Sequence, residues 1–162
     1  MSETEHKNAD AEARLSELGL ELPPIGEPGG RYAKAVRSGS LLFVSGHLPD
    51  SSETPCHTGK LGRDLTTEQG YEAARQAVLS MLTSIRAEIG DLGGVRRIVK
   101  LFGMVNCTED FTEQGQVING ASDLLFELFG PVSLHARSAV GMAQLPRNNC
   151  VELEAIVEVA HV

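Results

Sequence analysis

The sequence predicts an α+β fold, a mixed β-sheet with two main helices packed on one face. Three observations lead there. From Cys150 to Val159, Val151, Leu153, Ala155, Val157 and Val159 alternate with Glu152, Glu154, Ile156 and Glu158, the period of a strand with one buried face. In the middle of the chain Ala73, Ala77, Met81, Ile85 and Ile89 instead recur every fourth position beside Ala74, Val78 and Leu82, the period of an amphipathic helix. Along the chain these periods give the order hairpin, helix, strand, helix and two strands, a pattern that packs helices against one side of a sheet.

Each element has its own start and stop signals. Residues 8–18 place Ala11, Leu15 and Leu18 at helical spacing, with Asn8 or Asp10 as cap, and Gly19 and Pro23-Pro24 end the run. This short helix reads as part of an N-terminal extension over residues 1–30, a surface helix covering an edge or a subunit contact of the domain at 31–162. Pro28-Gly29-Gly30 turns the chain into a hairpin of Tyr32 to Arg37 and Leu41 to Ser45, joined at Ser38-Gly39. Gly46 to Gly62 reads as a long loop, a length common in functional segments. Thr66-Thr67-Glu68-Gln69 is a capping box opening the amphipathic helix, which Gly90 stops. Gly93-Gly94 introduces a buried strand from Val95 to Asn106, where Gly103 marks a bulge or a close backbone approach. A second helix runs from Phe111 to Phe129 despite Gly115 and Gly120, and Gly130-Pro131 ends it. Two strands follow, Ala136 to Gln144 and Cys150 to Val159, joined by a turn at Pro146-Arg147-Asn148-Asn149.

Composition narrows the function. The 162 residues suit one domain, and a net charge of −8 repels a phosphate backbone. The absence of tryptophan removes the usual stacking platform for single strands, so nucleic acid is a disfavoured partner. Cys56, Cys107 and Cys150 are widely spaced and outside any CxxC arrangement, which fits a reducing cytoplasm and points to neither disulfides nor zinc. The first residues, Met1 to Lys7, lack the basic start and apolar core of a secretory signal, and no stretch reaches the roughly 20 apolar residues of a membrane span. A soluble cytoplasmic protein without membrane contact is expected.

Two residues stand out chemically. Arg137 opens one C-terminal strand with a planar guanidinium able to hold a carboxylate through two parallel hydrogen bonds. Glu152 opens the other, on a strand otherwise built for burial, where a carboxylate is costly without a partner. A neighbouring arrangement, within one chain or between two, would bring them to one small-anion pocket. Glu154 shares the face of Glu152, and alternation alone does not choose between them. Tyr32 and Ser45 on the hairpin could add a phenol and a hydroxyl. His47 reads as a solvated loop histidine, and with His57 it forms no recognisable metal spacing. Cys107 has no histidine nearby in sequence to activate it.

Several of these residues also form a known pattern. Arg137-Ser138-Ala139-Val140, then Leu145-Pro146, then Val151-Glu152-Leu153-Glu154-Ala155-Ile156 resembles the C-terminal signature of the RidA/YjgF family of enamine/imine deaminases, also called endoribonuclease L-PSP. Upstream, Tyr32 with Ala35-Val36, Phe43-Val44-Ser45-Gly46 with Pro49, and Val117-Ile118-Asn119 resemble the family's first hairpin and second helix, so the likeness spans about residues 31 to 159. The longer N-terminus resembles a less-studied branch. The resemblance implies a chorismate-mutase-like fold, a homotrimer with sites between subunits, and no cofactor or metal. It implies hydrolysis of a small carboxylate-bearing enamine or imine, with Arg137 binding the carboxylate and Glu152, rather than Glu154, managing water and protons. Tyr32 and Ser45 would assist, and Gly46, Asn119 and Ala139 would complete the substrate site, with Asn119 reaching in from the neighbouring subunit. Two departures affect pocket shape: His47 replaces a frequent glutamine and Ala139 a frequent cysteine. A metabolite-binding module without turnover would use the same cleft, and a ribonuclease fits the acidic balance least.

Overall fold

The computed structural model describes residues 11–49 and 57–160. Helix α1 (Ala11–Glu17) leads into an extended segment, and strands β1 (Ala35–Ser38) and β2 (Leu41–His47) form the first hairpin. Helix α2 (Thr67–Ile89), strand β3 (Val95–Asn106), helix α3 (Gln114–Phe129), and strands β4 (Ala136–Met142) and β5 (Val151–Val159) follow. The five strands lie in the order β1-β2-β5-β3-β4, with β3 and β4 parallel and every other pair antiparallel. The predicted mixed sheet and its helical cover are both borne out. Among the described residues, no helix is long and apolar enough to cross a membrane.

Local chemistry sets the helix ends. Thr66 Oγ1 accepts from Gln69 N–H at 3.3 Å while Gln69 Oε1 accepts from Thr66 N–H at 2.9 Å, the reciprocal capping box the sequence predicts. Gly90 closes α2 at φ 85°, a conformation costly for any residue with a Cβ. Helix α3 starts three residues later than the pattern suggests, because Phe111 to Glu113 turn before it, with Phe111 N–H bonded to Thr108 O.

Helices α2 and α3 cross at glycines. A Cβ on Gly120 would lie 2.1 Å from the carbonyl oxygen of Tyr71, and one on Gly70 3.1 Å from Val117 of α3. Gly103 is the expected close approach, with Ile118 2.5 Å from a notional Cβ, and the pairing register runs through it unbroken. The layer between helices and sheet contains Ala77, Met81, Leu101, Leu125, Leu153 and Val157, all fully buried. Helix α1 joins this core through Ala11 and Leu15 and is tied by Arg14 Nη1 donating to Leu128 O at 3.2 Å. The extended segment after it is held where Thr83 Oγ1 donates to Pro23 O at 2.9 Å.

Two expectations need correction. Strands β4 and β5 are consecutive but not neighbours, because β3 lies between them. The connection passes over the end of β3, where Asn106 N–H bonds Cys150 O and Asn106 Nδ2 donates to Asn149 O. Alternation assigns faces, not partners, so two correctly read strands gave no information about what separates them. The second correction concerns His47, which is 4% exposed inside β2 rather than solvated in a loop. Val44 pairs Ala155 but His47 pairs Leu153, so a bulge inserts one extra residue and returns His47 to the core side. Of the long loop after it, residues 50–56, including Cys56, lie outside the described residues, as do the proposed caps Asn8 and Asp10 and the leader reading of Met1 to Lys7.

The sheet face away from the helices carries Val36, Phe43, Phe102, Met104, Val140 and Ile156. Val36 is 55% and Phe43 44% exposed in the single chain.

Candidate functional site

Glu152 sits where β5 begins, opposite Met104 of β3, with its side chain beside the bulge in β2. A Cβ on Gly46 would lie 2.0 Å from Glu152 Oε1, so the carboxyl occupies space that only a glycine leaves open. Burial first, and then the charge of Glu154, push the Glu152 carboxyl above its usual range. Glu152, Gly46 and Tyr32 line one cavity of about 440 Å³, closed on one side by residues 23–29 of the extended segment. Tyr32 is 57% exposed, and its phenol oxygen accepts from Gly29 N–H at 3.1 Å. Ser45 Oγ donates to Ala33 O at 2.7 Å; the residue lies instead in an adjoining depression of about 550 Å³ on the open sheet face, with Glu154, Lys100 and Phe102.

His47 and Ser84 form part of the cavity wall around Glu152. His47 Nδ1 is 2.7 Å from Ser45 O, and a carbonyl only accepts, so Nδ1 carries the proton. Nε2 of the neutral ring then accepts from the Ser84 hydroxyl at 2.7 Å. Burial is the main cause that lowers the His47 pKa, and the Lys34 charge adds to it against the opposing Ser45 bond. Lys34 and Arg147 also face this cavity. Sequence reasoning missed Ser84, Lys34 and Arg147. Lys34 follows the hairpin's alternation, but Ser84 reads as one of many polar helix positions and Arg147 as a turn residue.

Arg137 is held on the helix side of the sheet. Its Nη1 donates to Asn119 Oδ1 at 2.9 Å and to Ser122 Oγ at 3.0 Å, and Nη2 to Gly115 O at 3.4 Å. All three acceptors are neutral. Among the described residues the ion pairs are Arg63–Asp64, Arg75–Glu127 and Arg86–Glu12, so the Arg137 charge is uncompensated within them. The Nε–H and one Nη2–H remain for a further acceptor. His135 orients this network: its Nδ1–H donates to Ser133 O at 2.5 Å, its Nε2 accepts from Ser122 at 3.1 Å, and Ser122 Oγ thereby presents a lone pair to Arg137. Burial and then the Arg137 charge lower the His135 pKa, with the Ser133 bond opposing. Asn119 thus contacts Arg137 of its own chain. Ala139, on the same side of β4 as Arg137, lies opposite Gly103 and packs against the core.

The single chain does not bring Arg137 and Glu152 together. Arg137 aligns with Leu101 and Ala155, whereas Glu152 aligns with Met104. Three residues along and two strands across separate their backbones by about 14 Å, and the odd offset puts them on opposite faces. Cys107 is half-buried, with Sγ accepting from Gln114 Nε2 at 3.7 Å. His57 is buried and its Nε2 has no partner among the described residues. Among those residues no three His, Cys, Asp or Glu side chains converge to hold a metal ion.

These features can be set beside known proteins. Residues 12–159 match the family model described as "YjgF/chorismate_mutase-like, putative endoribonuclease". The chain is 47% identical over 147 residues to Protein TCP17 of Trypanosoma cruzi, covering 90% of this chain and 92% of that protein. It is 28% identical over 138 residues to a 2-iminobutanoate/2-iminopropanoate deaminase of Dermatophagoides farinae, covering 85% and 93% of the two. The crystal structure of Atu1372 from Agrobacterium tumefaciens, a protein of unknown function, superimposes with a TM-score of 0.86 at 42% identity, covering 95% of this chain and 96% of that one. The YjgF product of Escherichia coli superimposes with a TM-score of 0.57 at 26% identity, covering 85% and 93%. With the family-model match over nearly its whole length and the superimposed folds in agreement, the chain belongs to the YjgF/RidA family.

Proposed function

We propose that this protein is a hydrolytic deaminase of small carboxylate-bearing imines and enamines, working without a cofactor in a site completed between copies of the chain. The observation that carries the reading is the Arg137 guanidinium, which among the described residues forms no ion pair, is fixed by neutral acceptors and retains two donors. The relative named as a 2-iminobutanoate/2-iminopropanoate deaminase supports the substrate class. Because Arg137 and Glu152 lie on opposite faces in one chain, Arg137 of one copy serves the Glu152 cavity of another. The apolar open sheet face, with Val36 and Phe43 exposed, supplies a surface for that assembly, a homotrimer on the family pattern.

In this reading Arg137 holds the substrate carboxylate through its Nε–H and Nη2–H. An enamine first takes a proton at carbon and gives one up from nitrogen to become the imine. Glu152, whose carboxyl burial holds above its usual range, gives a proton to the imine nitrogen and takes one from the attacking water. The water oxygen bonds to the imine carbon to give a carbinolamine; as the C–N bond breaks, Glu152 passes its proton to the departing nitrogen and takes the hydroxyl proton, so that ammonia and a 2-keto acid leave. Tyr32, Ser45 and Gly46 shape the approach, and Asn119 fixes Arg137.

The test generates imino acids in situ with an amino-acid oxidase and traps the survivors with semicarbazide. Wild type is expected to reduce trapping, and Arg137→Ala to raise the apparent KM by about 100-fold. Equal trapping with and without wild-type protein, across varied amino acids, contradicts the deaminase; binding of a keto acid by calorimetry would then favour a metabolite-binding module.

A further inference from the structure

The cavity around Glu152 is large for a four-carbon imino acid. Its volume of about 440 Å³ is within the range that houses ligands several times that size. It also contains two cations, Lys34 and Arg147, and among the described residues neither takes part in an ion pair. The carboxyls on the same walls are Glu27 and Glu152, and burial holds the second above its usual range. His47, facing the same space, is buried and neutral.

Both cations are positioned by structure around them. Arg147 has φ 55° and ψ 24°, and Asn148 has φ 58°, a left-handed pair in which the arginine is strained. The turn is held from outside: Asn148 Oδ1 accepts from Gln144 Nε2 at 3.0 Å, Asn148 O accepts from Gly59 N–H at 2.8 Å, and buried Asn106 donates to Asn149 O at 3.1 Å. Lys34 Nζ would be 3.8 Å from a Cβ on Gly26, so the ammonium lies against the extended N-terminal segment, which Thr83 anchors at Pro23. A strained turn and an anchored strap thus present to one cavity two cations that form no ion pair among the described residues.

We propose that the ligand of this cavity carries a second anionic group, a side-chain carboxylate held by Lys34 and Arg147, which makes imines of acidic amino acids the preferred substrates. The substrate claim rests on the deaminase reading above. Arg137 of a neighbouring copy takes the α-carboxylate, Glu152 faces the C=N bond, and the distal carboxylate extends towards Lys34 and Arg147.

The experiment compares imines generated by oxidases from glutamate and from leucine, in wild type and in the double variant Lys34→Met, Arg147→Gln. The expected kcat/KM ratio favours the glutamate imine by about tenfold in wild type and falls to about one in the double variant. A wild-type ratio of one or below overturns the second-anion proposal while leaving the deaminase intact, and it decides the matter even if the double variant fails to fold. If no imine is consumed faster, the deaminase reading falls instead, and calorimetry with 2-oxoglutarate against 2-oxobutanoate tests the ligand class alone. Tighter binding of the dicarboxylate by about tenfold, lost in the double variant, sustains the proposal. Equal affinity overturns it.

Discussion

At the scale of single residues, the account depends on side chains whose neighbours set their chemistry. Gly46 separates activity from stability. A methyl group there meets the flexible end of Glu152, which can swing away, so Gly46→Ala should fold normally yet displace the carboxyl. Its kcat in the trapping assay is expected to fall about 100-fold, as for Glu152→Gln, with little change in urea midpoint. His47 makes a pH prediction. Its folded pKa is below the ordinary 6.5, so on acidification the unfolded chain takes up its proton first. That contribution to stability is complete above pH 6.5 and is lost as pH falls through the folded value; His135 and His57, also lowered, act in the same direction. Glu152, raised above 4.5, acts oppositely, its contribution fading as pH rises through its folded value. Denaturation from pH 8 to 5 should show falling stability, with a shallower fall in His47→Gln. Arg137 and Glu152 were legible from residue type and family pattern, whereas the burial of His47 was not, because a one-residue bulge leaves no mark on alternation.

At the scale of elements, the capping box, the stop at Gly90 and the bounds of β3 follow directly from sequence, since each rests on contacts within a few residues. The separation of β4 from β5 does not, because it depends on β3, which precedes both and inserts between them. Sequence alone shows the glycines of α3 as propensity costs, and one of them has a packing reason. Gly120→Ala gains about 1 kcal/mol of helix propensity but forces a methyl group against the backbone oxygen of Tyr71, which cannot rotate away. Overpacking should win, with a net loss of about 1–2 kcal/mol in urea denaturation. Gly90→Ala tests a different cost, strain at φ 85° with nothing within 4 Å, and should destabilise without altering the crossing.

At the scale of the whole molecule, the isolated chain has two half-sites. One face presents an arginine with donors to spare and no acid beside it among the described residues, and the other presents a partly buried carboxyl in a cavity. The sequence left open whether these residues meet within one chain or between two; the offset of three residues across β3 answers for the single chain, and the proposal follows for the assembly. The most direct measurement is complementation. Arg137→Ala and Glu152→Gln, each about 100-fold impaired alone at low substrate, are unfolded together, refolded as a mixture and assayed for imine loss. A site built from Arg137 of one copy and Glu152 of the next recovers about a quarter of wild-type activity, since random mixing supplies each intact residue to half of the sites. No recovery, with the mixed assembly confirmed by mass, would contradict the shared site.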